Sequence, residues 1–378
     1  MNMTQPSRLS VSLPMQHTIA SGTCHAVFAF DVAQHVDLEG LERHVAALVQ
    51  RERIRRSRRA PKYFAFDPPP LRITIPAEPI EIGRFRTSSQ VGCVVYEFGV
   101  ASVVFTMELA GPIADLQALS NELYEHEAMQ NAAVQHVHAL LEIIRPFAAV
   151  PRVQDLIEDY VVYEIRRVEP EIAPAAFVSE HERWIAQVLR AESRPLSDQE
   201  IEESVGGKVA YGTADMAIID WNAAMLFDAE ADDVIAVLEF ANLELLELRH
   251  LDAQLDRVLG AAWRTLVEPR WPLFRTRAKE MRDLAKLQVE SAMLFEQVNN
   301  ALKLMGDQYL ARLYRLASQR LHIGDWDASI RRKLETVNST YAKVSDFQAT
   351  RRMEILEWII IVLIALSIAI GFLPGMMK

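Results

Sequence analysis

Residues 92–109 read GCVVYEFGVASVVFTMEL and contain two apolar runs that are rich in β-branched side chains. Gly99 and Val100 separate these runs. β-branched and aromatic side chains favour strands, and a glycine between two such runs is typical of a tight hairpin. The stretch therefore predicts two antiparallel strands joined by a short turn near Gly99.

Further strands and helices are predicted on both sides of this hairpin. Apolar or alternating runs predict strands at residues 24–32, 71–76, 159–169 and 216–219. Helical spacing predicts helices over residues 38–50, 113–145 and 177–190, of which the second is one helix or two. Asp198 is expected to cap a further short helix. We therefore predict an α+β fold class, with a mixed α/β head over residues 21–230 after a disordered lead-in over residues 1–20.

The predicted strand at residues 159–169 reads DYVVYEIRRVE and alternates between two faces. Tyr160, Val162 and Glu164 share one face, while Val161 and Tyr163 lie on the other. Because charged residues occur on both faces, the strand is expected to be half exposed.

Beyond residue 230 the apolar spacing is almost entirely helical. A first seam with spacings of three and four contains Leu238, Leu245, Leu248, Asp252 and Leu255, and a second contains Leu284, Leu294, Val298 and Met305. The prolines of EPRWPLFRTR, residues 268–277, interrupt any continuous helix between the seams. The pattern predicts a long antiparallel, coiled-coil-like helical hairpin and a stalk over residues 231–350, with the stalk helix starting near Trp326.

Asp252 is the charged member of the first seam. A charge at a seam position costs stability and can fix the register or the choice of partner. Exposure at the far end of the hairpin is the alternative interpretation. Both interpretations stay open at the level of the sequence.

The last segment, residues 351–378, combines a charged start with an apolar run, WIIIVLIALSIAIGFL, that follows Glu357. Such a run predicts a C-terminal transmembrane helix, although it rises only about 24 Å against a hydrocarbon core of about 30 Å. A buried helix in the core of an oligomer is the alternative. The predicted anchor residues are Arg351, Arg352, Trp358, Ile359, Ile360, Ile361, Leu363, Ile364, Leu366, Ile368, Ile370, Phe372 and Leu373.

The charge distribution around the tail sets the expected localisation. Arg351 and Arg352 precede the apolar run, on the side that the positive-inside rule keeps cytoplasmic. The first residues are polar and contain no apolar core of a secretory signal peptide. The prediction is a single-pass, tail-anchored membrane protein whose bulk is cytoplasmic.

The composition limits the classes of function. The formal net charge of −11 argues against a surface that coats nucleic acid throughout. Cys24 and Cys93 are the only cysteines, which is too few for a disulfide framework or a thiolate metal cage. A reducing compartment fits this composition.

The densest charge run is RERIRRSRR, residues 51–59. Arginine binds phosphate in a bidentate manner and stays charged, so the run suits phosphate groups of RNA or of anionic lipid. A solvated helix end and loop is the alternative. The candidate anion contacts are Arg51, Arg53, Arg55, Arg56, Arg58 and Arg59.

The sequence contains no set of residues that is typical of a catalytic site. His126, with Glu122 one turn before it, is the better of the candidate metal ligands, but a solvated charged face explains both residues. Residues 206–208 (Gly-Gly-Lys) lack the other residues of a P-loop. We therefore predict that the protein is not an enzyme and that it has no cofactor and no metal.

The C-terminal sequence resembles a known family. The segments ALKLMGDQYLARLYRLASQRLHIGDWDASIRRKLETVNSTYAKV (301–344) and RRMEILEWIIIVLIAL (351–366) resemble the family named "required for meiotic nuclear division", the RMND family, and GCVVYEFGVASVVF (92–105) resembles its paired-strand signature. The resemblance implies a membrane-associated homo-oligomer with one C-terminal span. Mitochondrial members of the family support translation, so the resemblance also implies a link to translation. It supplies no catalytic residues.

Two functional hypotheses follow, with an enzyme acting on a membrane-associated substrate as a less favoured third. In the first, the chain is a membrane-tethered homo-oligomeric scaffold whose head recruits a partner and whose hairpin self-associates. In the second, the head is a module that binds nucleic acid or the ribosome through residues 51–59. The expected partners are a second copy of the chain, the lipid bilayer, and RNA or the ribosome.

Overall fold

The computed structural model of the chain describes residues 17–49, 55–56, 68–267 and 308–372, together with the helical residues 282, 288, 289 and 292. The chain divides into two compact units. Unit 1 comprises Met1–Glu247 and Leu294–Gly324, and unit 2 comprises Leu248–Met293 and Asp325–Lys378.

Unit 1 is built around β-strands, twelve of which lie in the described part of the chain. They are β1 (Thr18–Asp31), β2 (His35–Val36), β3 (Arg55–Arg56), β4 (Leu71–Pro76), β5 (Glu81–Ile82), β6 (Phe85–Val95), β7 (Val100–Pro112), β8 (Ala148–Ala149), β9 (Ile157–Glu169), β10 (Lys208–Val209), β11 (Met216–Ile219) and β12 (Ala223–Phe227). Ten of these strands form one sheet in the order β10-β11-β12-β9-β1-β7-β6-β4-β3, with β5 paired to β6 at its side. β2 and β8 form a separate pair.

β1 lies in the middle of the large sheet, and both of its neighbours come from much later in the chain. Phe28 lies opposite Val103 of β7 and opposite Asp159 of β9, and both pairings are antiparallel. The predicted lead-in over residues 1–20 is too long, because β1 already begins at Thr18 and pairs with Glu169 there. Residues 1–16 lie outside the described part.

The predicted hairpin at residues 92–109 is confirmed. β6 and β7 pair with Val95 opposite Ala101, and the turn runs through Tyr96 to Gly99. Gly99 has a positive φ of 88°, which side chains with a Cβ rarely adopt. Its carbonyl accepts hydrogen bonds from the backbone N–H groups of Val32 and Ala33, at 2.9 and 3.0 Å. The turn is therefore fixed to the end of β1.

Eight described helices accompany the strands. They are α1 (Leu38–Val49), α2 (Ala114–Leu123), α3 (Glu127–Ile144), α4 (Pro174–Leu189), α5 (Asp198–Gly206), α6 (Asp232–Val267), α7 (Gln308–Arg320) and α8 (Ile323–Phe372). α1 and α4 confirm the helices predicted at residues 38–50 and 177–190. The cap of α5 is Ser197 and not Asp198, since the Ser197 side chain accepts from the N–H of Glu200.

The segment 113–145 forms two helices instead of one. Tyr124 ends α2 in an extended conformation, and Glu125 has a positive φ of 53°. The His126 ring then caps α3 by accepting a hydrogen bond from the Met129 N–H at 3.2 Å. The change of direction between the helices is therefore made by three consecutive residues.

The first face of the sheet packs against α1 to α4. Buried side chains from alternate positions of the strands, such as Phe30, Phe105 and Met107, join those of the helices in one apolar cluster. Leu41 of α1 and Phe177 of α4 belong to the same cluster. This cluster is the main core of unit 1.

The second face of the sheet is covered by the first part of α6. The Asn242 amide of α6 donates to the Glu158 carbonyl of β9 at 3.3 Å, while Glu239 bonds to residues of β4 and β7. Tyr160 and Val162 are buried on this face. The prediction of a half-exposed strand at residues 159–169 is therefore wrong for residues 160–165, which are all buried, whereas Asp159, Arg166, Arg167 and Glu169 are exposed.

Residues 216–227 contribute two strands. β11 confirms the strand predicted at residues 216–219, and β12 follows it after a short turn. β12 pairs with β9 in parallel, with Met225 opposite Tyr163. The sheet is thereby extended beyond β9 by three short strands.

Unit 2 contains the second part of α6, from Leu248, and most of α8, from Asp325. Val337 of α8 is fully buried and packs against Val258 and Leu259 of α6. The Lys333 ammonium lies 2.8 Å from a carboxylate oxygen of Asp252. α6 and α8 therefore pair with each other in this unit.

The residues of the first seam are buried or half buried by other parts of the same chain. Leu238, Leu248 and Leu255 are buried, while Leu245 and Asp252 are half buried. The residues of the second seam lie outside the described part, as does the connecting segment 268–277. These undescribed seam residues are Leu284, Leu294, Val298 and Met305.

The prediction of a C-terminal transmembrane helix is wrong, and with it the tail-anchored, single-pass localisation. None of the helices in the described residues is long and apolar enough to cross a membrane. α8 ends at Phe372, and its apolar part begins only after Glu357. That part rises about 22 Å, short of the roughly 30 Å of a hydrocarbon core.

The predicted anchor residues nevertheless share one helix. Arg351, Arg352, Ile370 and Phe372 lie within α8, and Leu373 lies outside the described residues. The other predicted anchor side chains are exposed, namely Trp358, Ile359, Ile360, Ile361, Leu363, Ile364, Leu366 and Ile368. We call the exposed apolar residues 356–368 the apolar end of α8.

Candidate functional sites

Three potential metal ligands converge at the start of β1. His17, immediately before β1, and Glu180 and His181 of α4 offer ligand atoms that all lie within 4.8 Å of one another. The closest approach is 3.0 Å, between Nδ1 of His17 and Nε2 of His181. Within the described residues, this is the one group of three such side chains. We call it the His17 cluster.

The backbone of α4 is irregular at this cluster. His181 has φ −122° and ψ 22°, which interrupts the helical conformation. Consecutive residues of a regular helix point about 100° apart. At this irregular turn, the adjacent side chains of Glu180 and His181 both approach His17.

Aromatic rings form the inner wall of the His17 cluster. The Phe177 ring centroid lies 4.5 Å from that of His181 and 5.4 Å from that of His17. Burial lowers the pKa of His181, and the neighbouring His17 lowers it further, while Glu180 raises it. The His181 imidazole is thus favoured in its neutral form, in which a ring nitrogen has a free lone pair.

The burial of the three residues differs. His17 is buried and its carbonyl accepts a hydrogen bond from the Ile113 N–H at 3.4 Å, His181 is half buried, and Glu180 is exposed. Trp184, one turn after Glu180, is buried, and its indole N–H has no acceptor among the described residues. The cluster is therefore anchored on its inner side and open on its outer side.

A buried carboxylate fixes α6 to the second face of the sheet. Glu239 is only 2% exposed and accepts hydrogen bonds from the hydroxyl of Ser102 in β7 and from the guanidinium of Arg72 in β4, the latter at 3.3 Å. Burial raises the pKa of Tyr96, and the charge of Glu239 raises it further. This arrangement is a structural ion pair, because it joins β4, β7 and α6.

A second ion-pair group connects the β11–β12 turn to α4 and α5. The Arg190 guanidinium donates to Asp220 at 2.9 Å and also contacts Glu200. The Tyr160 hydroxyl donates to the Asp220 carbonyl at 2.9 Å. These bonds hold the β11–β12 turn against α4 and α5.

A charged groove lies on the surface beside α4 and α5. Its volume is about 570 Å³, and Arg183 and Asp198 cross it with an ion pair of 2.7 Å. Lys208 and Glu182 also line it. Ser204, which is buried nearby on α5, has a hydroxyl without a partner among the described residues.

The structure places the sequence-predicted candidates apart from the His17 cluster, although Gly206 and Lys208 line the charged groove. His126 acts as the cap of α3. Cys24 and Cys93 are buried, and burial raises the pKa of the Cys93 thiol to about 12 and that of Cys24 still higher. Residues 206–208 join the end of α5 to β10. The two thiols are therefore buried and held in their neutral form.

The basic run is described only in part. Arg55 and Arg56 form β3, the edge strand that pairs with β4. Arg51, Arg53, Arg58 and Arg59 lie outside the described residues.

Sequence reasoning missed the His17 cluster. His17 and His181 are separated by 164 positions. Glu180 and His181 are adjacent, and on a regular helix their side chains would point about 100° apart. Only the pairing of β1 with β9, which brings the start of β1 near the segment that leads into α4, places them together. Only a correct prediction of the β1–β9 pairing could have identified the His17 cluster from the sequence.

The fold is that of an α+β protein in which a large sheet carries helices on both faces. Residues 21–233 match the profile of the family described as "Uncharacterized protein MJ0711, N-terminal domain". The match covers more than half of the chain, which therefore belongs to this family. The prediction that the chain falls in a family without an assigned function is confirmed at this level.

One relative illustrates the extent of the similarity. The chain is 25% identical over 200 residues to the uncharacterized protein MJ0711 of Methanocaldococcus jannaschii, which is 52% of this chain and 62% of the relative. The chain thus matches less than two thirds of the length of that relative. No solved structure matches the chain.

Proposed function

We propose that the protein is a non-enzymatic, homo-oligomeric scaffold in which the C-terminal helices self-associate and the α+β head recruits a partner. The observation that carries this proposal is the apolar end of α8. Ten large apolar side chains between residues 356 and 368 are 48–67% exposed. They face all sides of the helix, so a single neighbouring element of the same chain does not cover them.

The size of this surface supports a second copy of the chain as its cover. Ten large side chains that are about half exposed present on the order of 1,000 Å² of apolar surface. Monomers rarely leave more than about 300–600 Å² uncovered, and a stable interface buries about 800 Å² on each partner. The apolar end of α8 is thus large enough for a stable interface.

The spacing of the exposed residues also supports self-association. Met353, Leu356, Ile360 and Leu363 follow one another at intervals of three, four and three, and all four are exposed. This is the spacing of a coiled-coil seam. The buried first seam, by contrast, is already covered within the chain.

The RMND resemblance supports the same proposal and adds a role. It rests on residues 92–105, 301–344 and 351–366 and implies a homo-oligomer that is linked to translation. We propose accordingly that the partner of the head belongs to the translation machinery. The role as a scaffold requires no catalytic group.

The oligomeric state tests the proposal. Sedimentation equilibrium of the full chain should give a mass that is a multiple of 42.8 kDa. A double change, Ile360→Asp with Leu363→Asp, should return the mass to that of a monomer, because two charges cannot be buried unpaired in a seam. Ser339→Asp, an exposed position on the same helix, is the control. A monomeric wild type, or a double variant with the wild-type mass, contradicts the proposal.

A second candidate function is that of a module that binds RNA or the ribosome through residues 51–59. The position of Arg55 and Arg56 on an edge strand favours it, since one side of that strand has no neighbour among the described strands. Changing Arg53, Arg55, Arg56 and Arg58 to Ala should weaken binding to a generic RNA and flatten its salt dependence. Unchanged affinity and salt slope exclude this function.

A further inference from the structure

We propose that His17, Glu180 and His181 form a binding site for a divalent transition-metal ion of the Zn²⁺ class in the head of the protein. The inference stands independently of the proposed self-association. Its basis is the convergence of two imidazole nitrogens and one carboxylate from two distant segments of unit 1.

The separation of the two imidazoles fits a shared ion. Zinc–nitrogen bonds of about 2.0–2.1 Å in tetrahedral geometry place two ligand nitrogens roughly 3.3 Å apart. His17 Nδ1 and His181 Nε2 lie 3.0 Å apart, so a movement of a few tenths of an ångström would place an ion between them. A direct hydrogen bond between the two rings is the competing arrangement, and it requires no ion.

The ligand types select the class of ion. Imidazole nitrogen with carboxylate oxygen suits Zn²⁺ and its neighbours in the first transition row, whereas Mg²⁺ and Ca²⁺ prefer oxygen ligands throughout. Three protein ligands leave one position of a tetrahedral ion free for water or another small ligand. The exposure of Glu180 gives that position access from the surface.

The surroundings hold the proposed metal ligands in position before the ion binds. The backbone of His17 is held by the hydrogen bond from Ile113, and both imidazole rings pack against Phe177. Little reordering is therefore needed when the ion arrives.

An ion at this site would link the residue before β1 to α4. The two segments are 164 positions apart in sequence. Because the unfolded chain does not hold these ligands together, binding of the ion should stabilise the folded unit. We therefore expect Zn²⁺ to raise the unfolding temperature as well as to bind.

Calorimetric titration of the untagged full chain with Zn²⁺ tests the site. We expect one high-affinity Zn²⁺ per chain and at least about tenfold weaker binding in His17→Gln and in His181→Gln. Glu180→Gln should weaken binding as well. Because Glu180 is exposed, this variant keeps the fold and remains informative if a histidine variant unfolds.

Two control variants carry the same types of change outside the cluster. His138→Gln removes an exposed histidine of α3, and Glu182→Gln removes an exposed carboxylate of α4. Both should keep the wild-type affinity for Zn²⁺ and the wild-type rise in unfolding temperature. Co²⁺ in place of Zn²⁺ should give visible absorption that His181→Gln abolishes.

Three outcomes overturn the proposal. The first is the absence of high-affinity Zn²⁺ binding by the wild type, which would leave a hydrogen-bonded histidine pair. The second is binding that survives unchanged in the His17→Gln and His181→Gln variants. The third is a Glu180→Gln variant with wild-type affinity, since the site is proposed to have three ligands.

Discussion

The ammonium of Lys333 in α8 lies between two carboxylates of α6, 2.8 Å from Asp252 and 2.6 Å from Asp256. Although burial lowers the pKa of Lys333, hydrogen bonds and the charges of both carboxylates outweigh this effect, and the net shift of the pKa is upward. Asp252 is thus the charged seam residue with an identified partner. The ion pair connects the two helices within unit 2.

Lys333→Met should destabilise unit 2. The change leaves two carboxylates of α6 without their shared cation, one of them largely buried, and we expect a loss of about 1–3 kcal/mol. Urea unfolding followed by circular dichroism measures it. Arg332→Met, at the exposed neighbouring position, should change stability by less than about 0.5 kcal/mol. Equal effects of the two variants contradict the assigned role of Lys333.

Glu239→Gln should destabilise unit 1 by about 2–4 kcal/mol. The variant keeps the side-chain volume but removes the charge that balances the Arg72 guanidinium, which is only 26% exposed. Ser102→Ala should cost less, about 1–2 kcal/mol, since it removes one hydrogen bond to the same carboxylate. Glu108→Gln, at an exposed position of β7, is the control and should be neutral in the same denaturation experiment.

Glu164 should make stability depend on pH in the acid range. Burial raises its pKa, but hydrogen bonds from His25 and Arg166 and their charges outweigh burial, so the folded-state pKa lies below the ordinary value of 4.5. The unfolded chain therefore binds the proton more tightly than the folded chain. The stabilising contribution is complete above pH 4.5 and is lost as the pH falls through the folded-state pKa.

Comparison of the wild type with Glu164→Gln measures this contribution. The wild type should be more stable by about 1 kcal/mol near neutral pH, and the difference should shrink below pH 4.5. The exposed Glu169 provides a control in Glu169→Gln, for which we expect only a small difference in stability near neutral pH. A difference between wild type and Glu164→Gln that does not vary with pH would rule out the assigned pKa shift.

Gly99→Ala should destabilise the protein by about 2–3 kcal/mol. The residue has a positive φ, and an added Cβ would collide with the carbonyl oxygen of Ala33. Gly92→Ala in the neighbouring strand is the matched change, because its Cβ would meet only Val104 at an ordinary 3.8 Å. Thermal unfolding that shifts equally for both variants would contradict the proposed collision.

The strands with clear apolar patterns were predictable from the sequence, and the order of the sheet was not. The β6–β7 hairpin is local, and its glycine turn is visible in the chain. β12 was missed because its residues, AAMLF, are buried on both faces and show no alternation. The pairing of β12 with β9 depends on a crossover through α4 and α5, which no local pattern specifies.

The helical seams illustrate a different limit of sequence patterns. The spacing of Leu238, Leu248 and Leu255 indicated a coiled-coil hairpin, but the first part of α6 covers a sheet instead. Two of its buried polar residues, Glu239 and Asn242, form hydrogen bonds with partners on the strands. A seam pattern reports which positions are buried and does not report what buries them.

The candidate metal site shows the same limit more sharply. Two imidazoles and a carboxylate meet only after β1, β9 and α4 have packed. The transmembrane prediction failed for a simpler reason, which is length. The apolar run between Glu357 and the end of α8 at Phe372 is too short for a hydrocarbon core.

The central position of β1 has a consequence for biosynthesis. β1 is made early, yet one neighbour, β7, begins at Val100 and the other, β9, begins at Ile157. At a synthesis rate of about 5–20 residues per second, β9 is made roughly ten seconds after β1, and the second edge of β1 has no partner strand until then. The backbone N–H and C=O groups on that edge of β1 remain unpaired during that interval. The nascent chain should therefore depend on a chaperone until β9 has emerged.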